Sequence, residues 1–207
     1  MEKVSINKSI HLSEHLASPS EAALSHSSEL DGLRLSPHFT LGEVTKSEHK
    51  EVYNIPSHVA IENLKRVCVW LEALRKRYNE RYVIPSFRPP RPSGSEDCSI
   101  KTQSPNSGGE EVTTEPIIIN SGYRSPQLNK LVGGVPTSNH LTGCAVDIKV
   151  SGIEQAKRYR DILMEYANET KQDYDELLIE RNKSGCYWLH FAVRPKDNRR
   201  KTRDILI

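Results

Sequence analysis

The chain has 207 residues, 36% of them hydrophobic, which is long enough for one domain with a real core and too polar for every residue to be packed. Lys and Arg number 29 against 27 Asp and Glu, so the net charge of +2 gives no electrostatic reason to expect a nucleic-acid partner. No stretch approaches the roughly 18 apolar residues that span a bilayer, and the opening Met1-Glu2-Lys3-Val4-Ser5 lacks the apolar run of a signal peptide. A soluble protein made in the cytoplasm, with no membrane span, is therefore expected. Cys68, Cys98, Cys144 and Cys186 form no CxxC pair, which argues against a thiolate zinc knuckle.

Residues 1–36 are rich in Ser, His, Glu and Leu and read as a poorly ordered arm, with a short helix around Ser20 to Leu30. His11 and His15 stand i, i+4, but no third ligand is near, and they read as solvent-exposed. A folded unit is predicted over 37–207. Thr40 and Glu43 form a capping-box pattern. Behind the N-cap Ser57, the residues Val59, Ile61, Leu64, Val67, Leu71 and Leu74 recur at helical spacing, which predicts an amphipathic helix of about 20 residues with Cys68 on its buried side.

Tyr82-Val83-Ile84 offers the start of a strand. The Ser-, Gly-, Glu-, Thr- and Pro-rich stretch at about 91–115 then reads as a flexible insertion that buries too little surface to offset its ordering entropy. Pro116 to Asn120 predicts a short β-branched strand, Ser125 to Leu131 a short helix, and Gly133-Gly134 a break. Strands follow at Cys144–Val150, Tyr174–Glu180 and Tyr187–Val193, with a helix at Ile153–Ala167 and Gly185 in a hairpin connection. The short basic run Arg199-Arg200-Lys201 reads as a solvated tail. Helices first and strands clustered after predict an α+β fold, a small antiparallel sheet flanked by helices.

The chemistry concentrates in two places. In Ser138-Asn139-His140-Leu141-Thr142-Gly143-Cys144-Ala145-Val146-Asp147, an imidazole and a carboxylate stand seven residues apart, near enough for a turn to bring both to one metal ion. Gly143 and Ala145 are small, which suits backbone passing close to such an ion. Asp147 interrupts an apolar strand, where a carboxylate needs a cation or several hydrogen bonds to offset desolvation. Taken alone, the pair reads more readily as a surface turn followed by a strand-end acid than as a metal site. In Tyr187-Trp188-Leu189-His190-Phe191-Ala192-Val193, period 2 puts Leu189, Phe191 and Val193 toward the core and Trp188, His190 and Ala192 on the other face, whether solvent or cleft. Together, His140, Asp147 and His190 supply three ligands and leave a fourth position open, as catalytic zinc requires.

Ser138-x-His140-x-x-Gly143-x-Ala145-x-Asp147 resembles the S-x-H-x-x-G-x-A-x-D signature of the zinc D-Ala-D-Ala carboxypeptidases and related phage endolysins, a group related to the hedgehog signalling domain and lysostaphin-type endopeptidases. Ser121-Gly122-Tyr123-Arg124-Ser125-Pro126-x-x-Asn129, Trp188-Leu189-His190 and the opening Phe39-Thr40-Leu41-Gly42-Glu43 are similar to further segments of that family, so the resemblance spans about 38–203 apart from the insertion. It implies a hedgehog/DD-peptidase-like fold, a Zn2+ cofactor on His140, Asp147 and His190, and hydrolysis of bonds next to D-amino acids in peptidoglycan stem peptides. It also implies that Arg124 binds substrate carboxylate or a developing oxyanion, and that Ser138 and Tyr123 contact substrate. Many relatives carry a Glu three residues before the final His, where this chain has Tyr187. Glu180 is the replacement expected as general base, with Asp175 and Glu176 behind it. Such a protein would act on the cell wall once released or carried there. The alternative is a non-catalytic, zinc-stabilised module that binds cell wall or serves in a phage particle.

Overall fold

Two long amphipathic helices and one face of a five-stranded sheet enclose the core in the computed structural model, which describes residues 31–83 and 114–206. A first short helix, α1 (Leu41–Thr45), opens with the expected capping box: the Thr40 hydroxyl accepts from the Glu43 amide at 3.4 Å, and the Glu43 carboxylate accepts from the Thr40 amide at 2.7 Å. Helix α2 (His58–Tyr82) starts at Ser57, whose hydroxyl accepts from the Ala60 amide. Leu64, Val67, Cys68, Leu71 and Leu74 are buried as the stripe predicts. Val59 is not; it is 69% exposed. Five residues of helix put it about 140° round from Leu64, so Ala60 takes the inward position instead. The helix runs on through Tyr82 with Val83 as its C-cap, so no strand starts there. The backbone amide of Val83 still bonds Asn79 O, and helical propagation outweighs the β preference of a lone Tyr-Val pair.

The sheet comprises β1 (Ile119–Ser121), β2 (Ala145–Lys149), β3 (Glu176–Arg181), β4 (Tyr187–Ala192) and β5 (Lys201–Leu206), in the order β1-β2-β4-β3-β5. All neighbours are antiparallel except β3 and β5, which run parallel. Helix α3 (Pro126–Leu131) is capped by Ser125, and α4 (Ile153–Thr170) packs with α2 over the sheet. Leu189 and Phe191 of β4, Val146 and Ile148 of β2, and Leu177 and Ile179 of β3 face these helices. The alternation read from the sequence is thus the one that forms, and it leaves Trp188, His190 and Asp147 on the opposite face.

Strand β5 was not foreseen, because Lys201-Thr202-Arg203-Asp204 shows no apolar alternation. It is held by backbone pairing with β3 and by the basic run itself. Arg199 donates to Asp175 at 2.8 and 2.7 Å, and Lys201 Nζ donates to Glu176 Oε1 at 2.8 Å. The expected solvated tail is therefore an element of the fold. At the far end of the predicted insertion, Glu115 is pinned to α2 by a 2.6 Å bond from its amide to Asn79 Oδ1. The expected helix near Ser20, His11, His15, Cys98 and most of the insertion lie outside the described residues. Cys68, Cys144 and Cys186 are free thiols, the first two buried. Among the described residues no helix is long and apolar enough to cross a membrane.

Gly143 closes the turn ahead of β2 with φ of 70°, and a Cβ there would lie 2.5 Å from the Ala60 carbonyl oxygen of α2. The small residue is demanded by helix contact and left-handed backbone, which corrects the expectation that it makes room for an ion. Gly143→Ala should destabilise the chain by about 2 kcal/mol or more, through strain and clash together. Urea denaturation checks this, and an unchanged midpoint would refute the packing argument.

Candidate metal centre

The register of two antiparallel strands builds the centre. Asp147 on β2 is directly opposite His190 on β4, so adjacent strands deliver a carboxylate and an imidazole to the same spot on the sheet face away from the helices. His140 arrives from a 3-10 turn (Asn139–Thr142) immediately before β2. The Ser138 hydroxyl caps that turn by accepting from the His140 amide at 3.3 Å, and Asn63 of α2 donates to the Thr142 carbonyl at 2.9 Å. The three side chains belong to residues only 3%, 7% and 8% exposed for His140, Asp147 and His190.

Their polar atoms converge. Asp147 Oδ1 lies 2.9 Å from His190 Nδ1 and 3.3 Å from His140 Nε2, and the two rings are 5.1 Å apart between centroids. One ligand atom from each residue falls within 4.8 Å of the others, so the trio could hold a metal ion. Two imidazoles and one carboxylate form a donor set suited to zinc with a coordination position left over. The outer nitrogen of His140, Nδ1, sits 2.6 Å from the Gly122 carbonyl oxygen.

Charge in the centre is tightly balanced. Burial would push the Asp147 carboxyl up, but His140 and His190 outweigh it and hold the carboxyl well below its usual range. Burial likewise pulls His190 down, yet Asp147 and Glu176 outweigh it and raise the imidazole to about 9. Arg124 spans the edge of the site. Its Nη2 donates to Asp147 Oδ2 at 2.6 Å and its Nε to Ser121 Oγ at 2.8 Å, while Nη1 has no hydrogen bond to a described residue. Arg124 therefore orients the metal-side carboxylate and keeps one donor unengaged.

The three candidate acids differ sharply. Asp175 is wholly buried and saturated by Arg199, Arg194 and Asn139. Glu176 is occupied by Lys201, Arg199 and Asn139, and its Oε2 is 3.5 Å from His190 Nε2. Glu180 takes one hydrogen bond among the described residues, from Trp188 Nε1 to Oε2 at 2.6 Å, and burial raises its carboxyl above the ordinary value. It pairs with Trp188 while His190 pairs with Leu178, so Glu180 is a diagonal neighbour of His190 on the same face, within reach of a long side chain.

Tyr123 is placed differently from the expectation. Its ring is buried in a small cluster with Leu41, Val44, Ala60 and Leu64, where burial pushes the phenol up, and its amide donates to the Val44 carbonyl at 2.7 Å. The ring thus contributes to packing. Ser138 is half-buried at the capped turn. Sequence reasoning missed Asn54, whose side chain donates to the Thr45 and Tyr123 carbonyls and accepts from the Ser125 amide, fixing the Arg124 loop. Asn139 was missed too, although it stands one residue before His140.

A sheet that carries a His, Asp, His cluster on one face and two helices on the other defines an α+β domain with a metal-competent centre. The sequence model of the Peptidase M15 family matches residues 109–177, a stretch that holds Arg124, Ser138, His140 and Asp147 and ends before β4. Over that stretch, about a third of the chain, the match bears out the resemblance drawn from the motifs; the Phe39–Glu43 and Trp188–His190 segments lie outside it. No curated protein matches the chain.

In metal-free protein, His190 should titrate near 9 rather than near its ordinary value of about 6.5. Since the folded value is raised, the associated stability is complete below about pH 6.5 and drains away as pH rises through 9. Imidazole NMR on chelator-treated protein reads this directly, and a midpoint near 6.5 contradicts the charge balance described.

Proposed function

We propose that the chain is a zinc-dependent peptidase that hydrolyses bonds next to D-amino acids in peptidoglycan peptides. The observation that carries this reading is the convergence of His140 Nε2, Asp147 Oδ1 and His190 Nδ1 at 2.9 and 3.3 Å, beside one acid left largely unengaged. The donor chemistry fits zinc: two imidazoles and a buried, ionised carboxylate, with Arg124 neutralising the second carboxylate oxygen. Zinc bound there would polarise the scissile carbonyl and acidify the attacking water.

The chain's own residues divide the remaining work. Glu180 takes the proton from the attacking water and hands it to the leaving amine, a task that suits a carboxyl raised by burial and steadied by Trp188. Arg124 offers Nη1 to the substrate carboxylate or to the developing oxyanion. Ser138 reaches the substrate from the rim of the capped turn. Specificity for D-amino acids and for cell-wall peptides follows from the motif resemblance, as does action on the wall once the protein is released or carried there.

Purified peptidoglycan incubated with the protein should yield products separable by mass. Loss of single alanines indicates a carboxypeptidase, and separated stem peptides indicate an endopeptidase. Glu180→Gln should cut turnover by about 10²–10⁴-fold while zinc stays bound. Undiminished turnover in that variant removes Glu180 from its role. A wild-type protein that binds zinc yet releases nothing favours the non-catalytic wall-binding module.

A further inference from the structure

We propose that Glu176 is a positioning residue that holds His190 in its metal-binding tautomer by accepting the proton on Nε2. The inference rests on the metal reading of His190 given above and extends it to a residue that the motif resemblance leaves without this role.

A nitrogen that ligates a metal must present a lone pair, so the single proton of a neutral imidazole has to sit on the other nitrogen. In a buried site that N–H needs an acceptor, and the acceptor then fixes both the tautomer and the plane of the ring. For His140 the requirement is met by backbone, with Nδ1 2.6 Å from the Gly122 carbonyl oxygen and Nε2 turned toward Asp147. For His190 the arrangement is reversed. Nδ1 faces Asp147 Oδ1 at 2.9 Å, and Nε2 faces Glu176 Oε2 at 3.5 Å, with no other carboxylate in ion-pair range of Nε2 among the described residues.

The Glu176 carboxylate is held where it stands. Oε1 accepts from Lys201 Nζ at 2.8 Å and lies 3.1 Å from Arg199 Nη2, while Oε2 accepts from Asn139 Nδ2 at 3.2 Å. Lys201 is at this height because the parallel register sets it beside Glu176, and Asn139 is there because it precedes His140 on the same turn. A single carboxylate thus ties the strand that carries it to both imidazole-bearing segments and to the C-terminal strand. Its contacts with Lys201, Arg199 and Asn139 fix the carboxylate in place, whereas Glu180 has one hydrogen bond among the described residues, so the two acids have separate tasks on one strand.

The test measures zinc affinity of the full chain by competition with a chromophoric chelator. Glu176→Ala should raise the dissociation constant about 10–100-fold, and Glu176→Gln, which keeps an acceptor oxygen and the volume, should raise it less. Proton NMR of zinc-loaded wild type should display a slowly exchanging His190 Nε2–H that disappears in Glu176→Ala. Affinity within twofold of wild type in both variants, or an unaltered Nε2–H signal in Glu176→Ala, overturns the proposal. Failure of the underlying reading looks different: wild type then takes up no stoichiometric zinc, or His190→Ala binds it as tightly as wild type. Should Glu176→Ala not fold, the nearly isosteric Gln variant and the wild-type NMR signal still decide the matter.

Discussion

Everything in this molecule that bears on chemistry depends on the pairing of Asp147 with His190 across β2 and β4. The side-chain period of a strand is two, so a slip of one residue in that register would exchange Asp147 for Val146 or Ile148 and bury a carboxylate beneath the helices. The apolar residues on either side forbid the slip. Val146, Ile148, Leu189 and Phe191 are all completely buried against α2 and α4, and turning any pair outward would forfeit several kcal/mol of burial, at about 2 kcal/mol for each side chain. Core packing thus holds Asp147 and His190 in place on the opposite face. A buried carboxylate and two buried imidazoles are costly to desolvate, and mutual contact and Arg124 offset part of that cost.

The same economy explains the C-terminal strand. Asp175 immediately precedes β3 and Glu176 begins it, two carboxylates on adjacent positions with little solvent. Arg194, Arg199 and Lys201 neutralise them and, in doing so, add β5 as a parallel edge that hydrophobic content alone would not hold. Neutralisation at the base of β3 leaves Glu180, farther along, as the acid with the least engagement and the raised pKa. The sheet edge and the sparse engagement of Glu180 are therefore two consequences of one charge pattern.

Much of this was legible beforehand, and what was not has a physical cause. The amphipathic stripe of α2, the caps at Thr40 and Ser57 and the alternation of β4 are local signals, each set by residues within one or two turns or one strand, and apart from Val59 each appears where expected. The convergence of His140 with Asp147 was legible because the motif spacing brings them together through a single turn. By contrast, β5 owes its existence to partners 24 or 25 residues away, and a basic run looks the same in one dimension whether solvated or paired. The burial of the Tyr123 ring was not legible, because its packing partners Leu41, Val44, Ala60 and Leu64 are distant in sequence. Gly143 was read as room for an ion, and only the approach of the Ala60 carbonyl reveals the packing reason.

The central claim is that three side chains distant in sequence share one divalent ion. X-ray absorption at the zinc edge, on full-length protein purified without added metal, examines it most directly. The account expects one zinc per chain in a shell of nitrogen and oxygen at about 2.0–2.2 Å, with imidazole scattering from two rings and no sulfur. A chain free of zinc, or a shell containing sulfur from a cysteine such as Cys144, would contradict it.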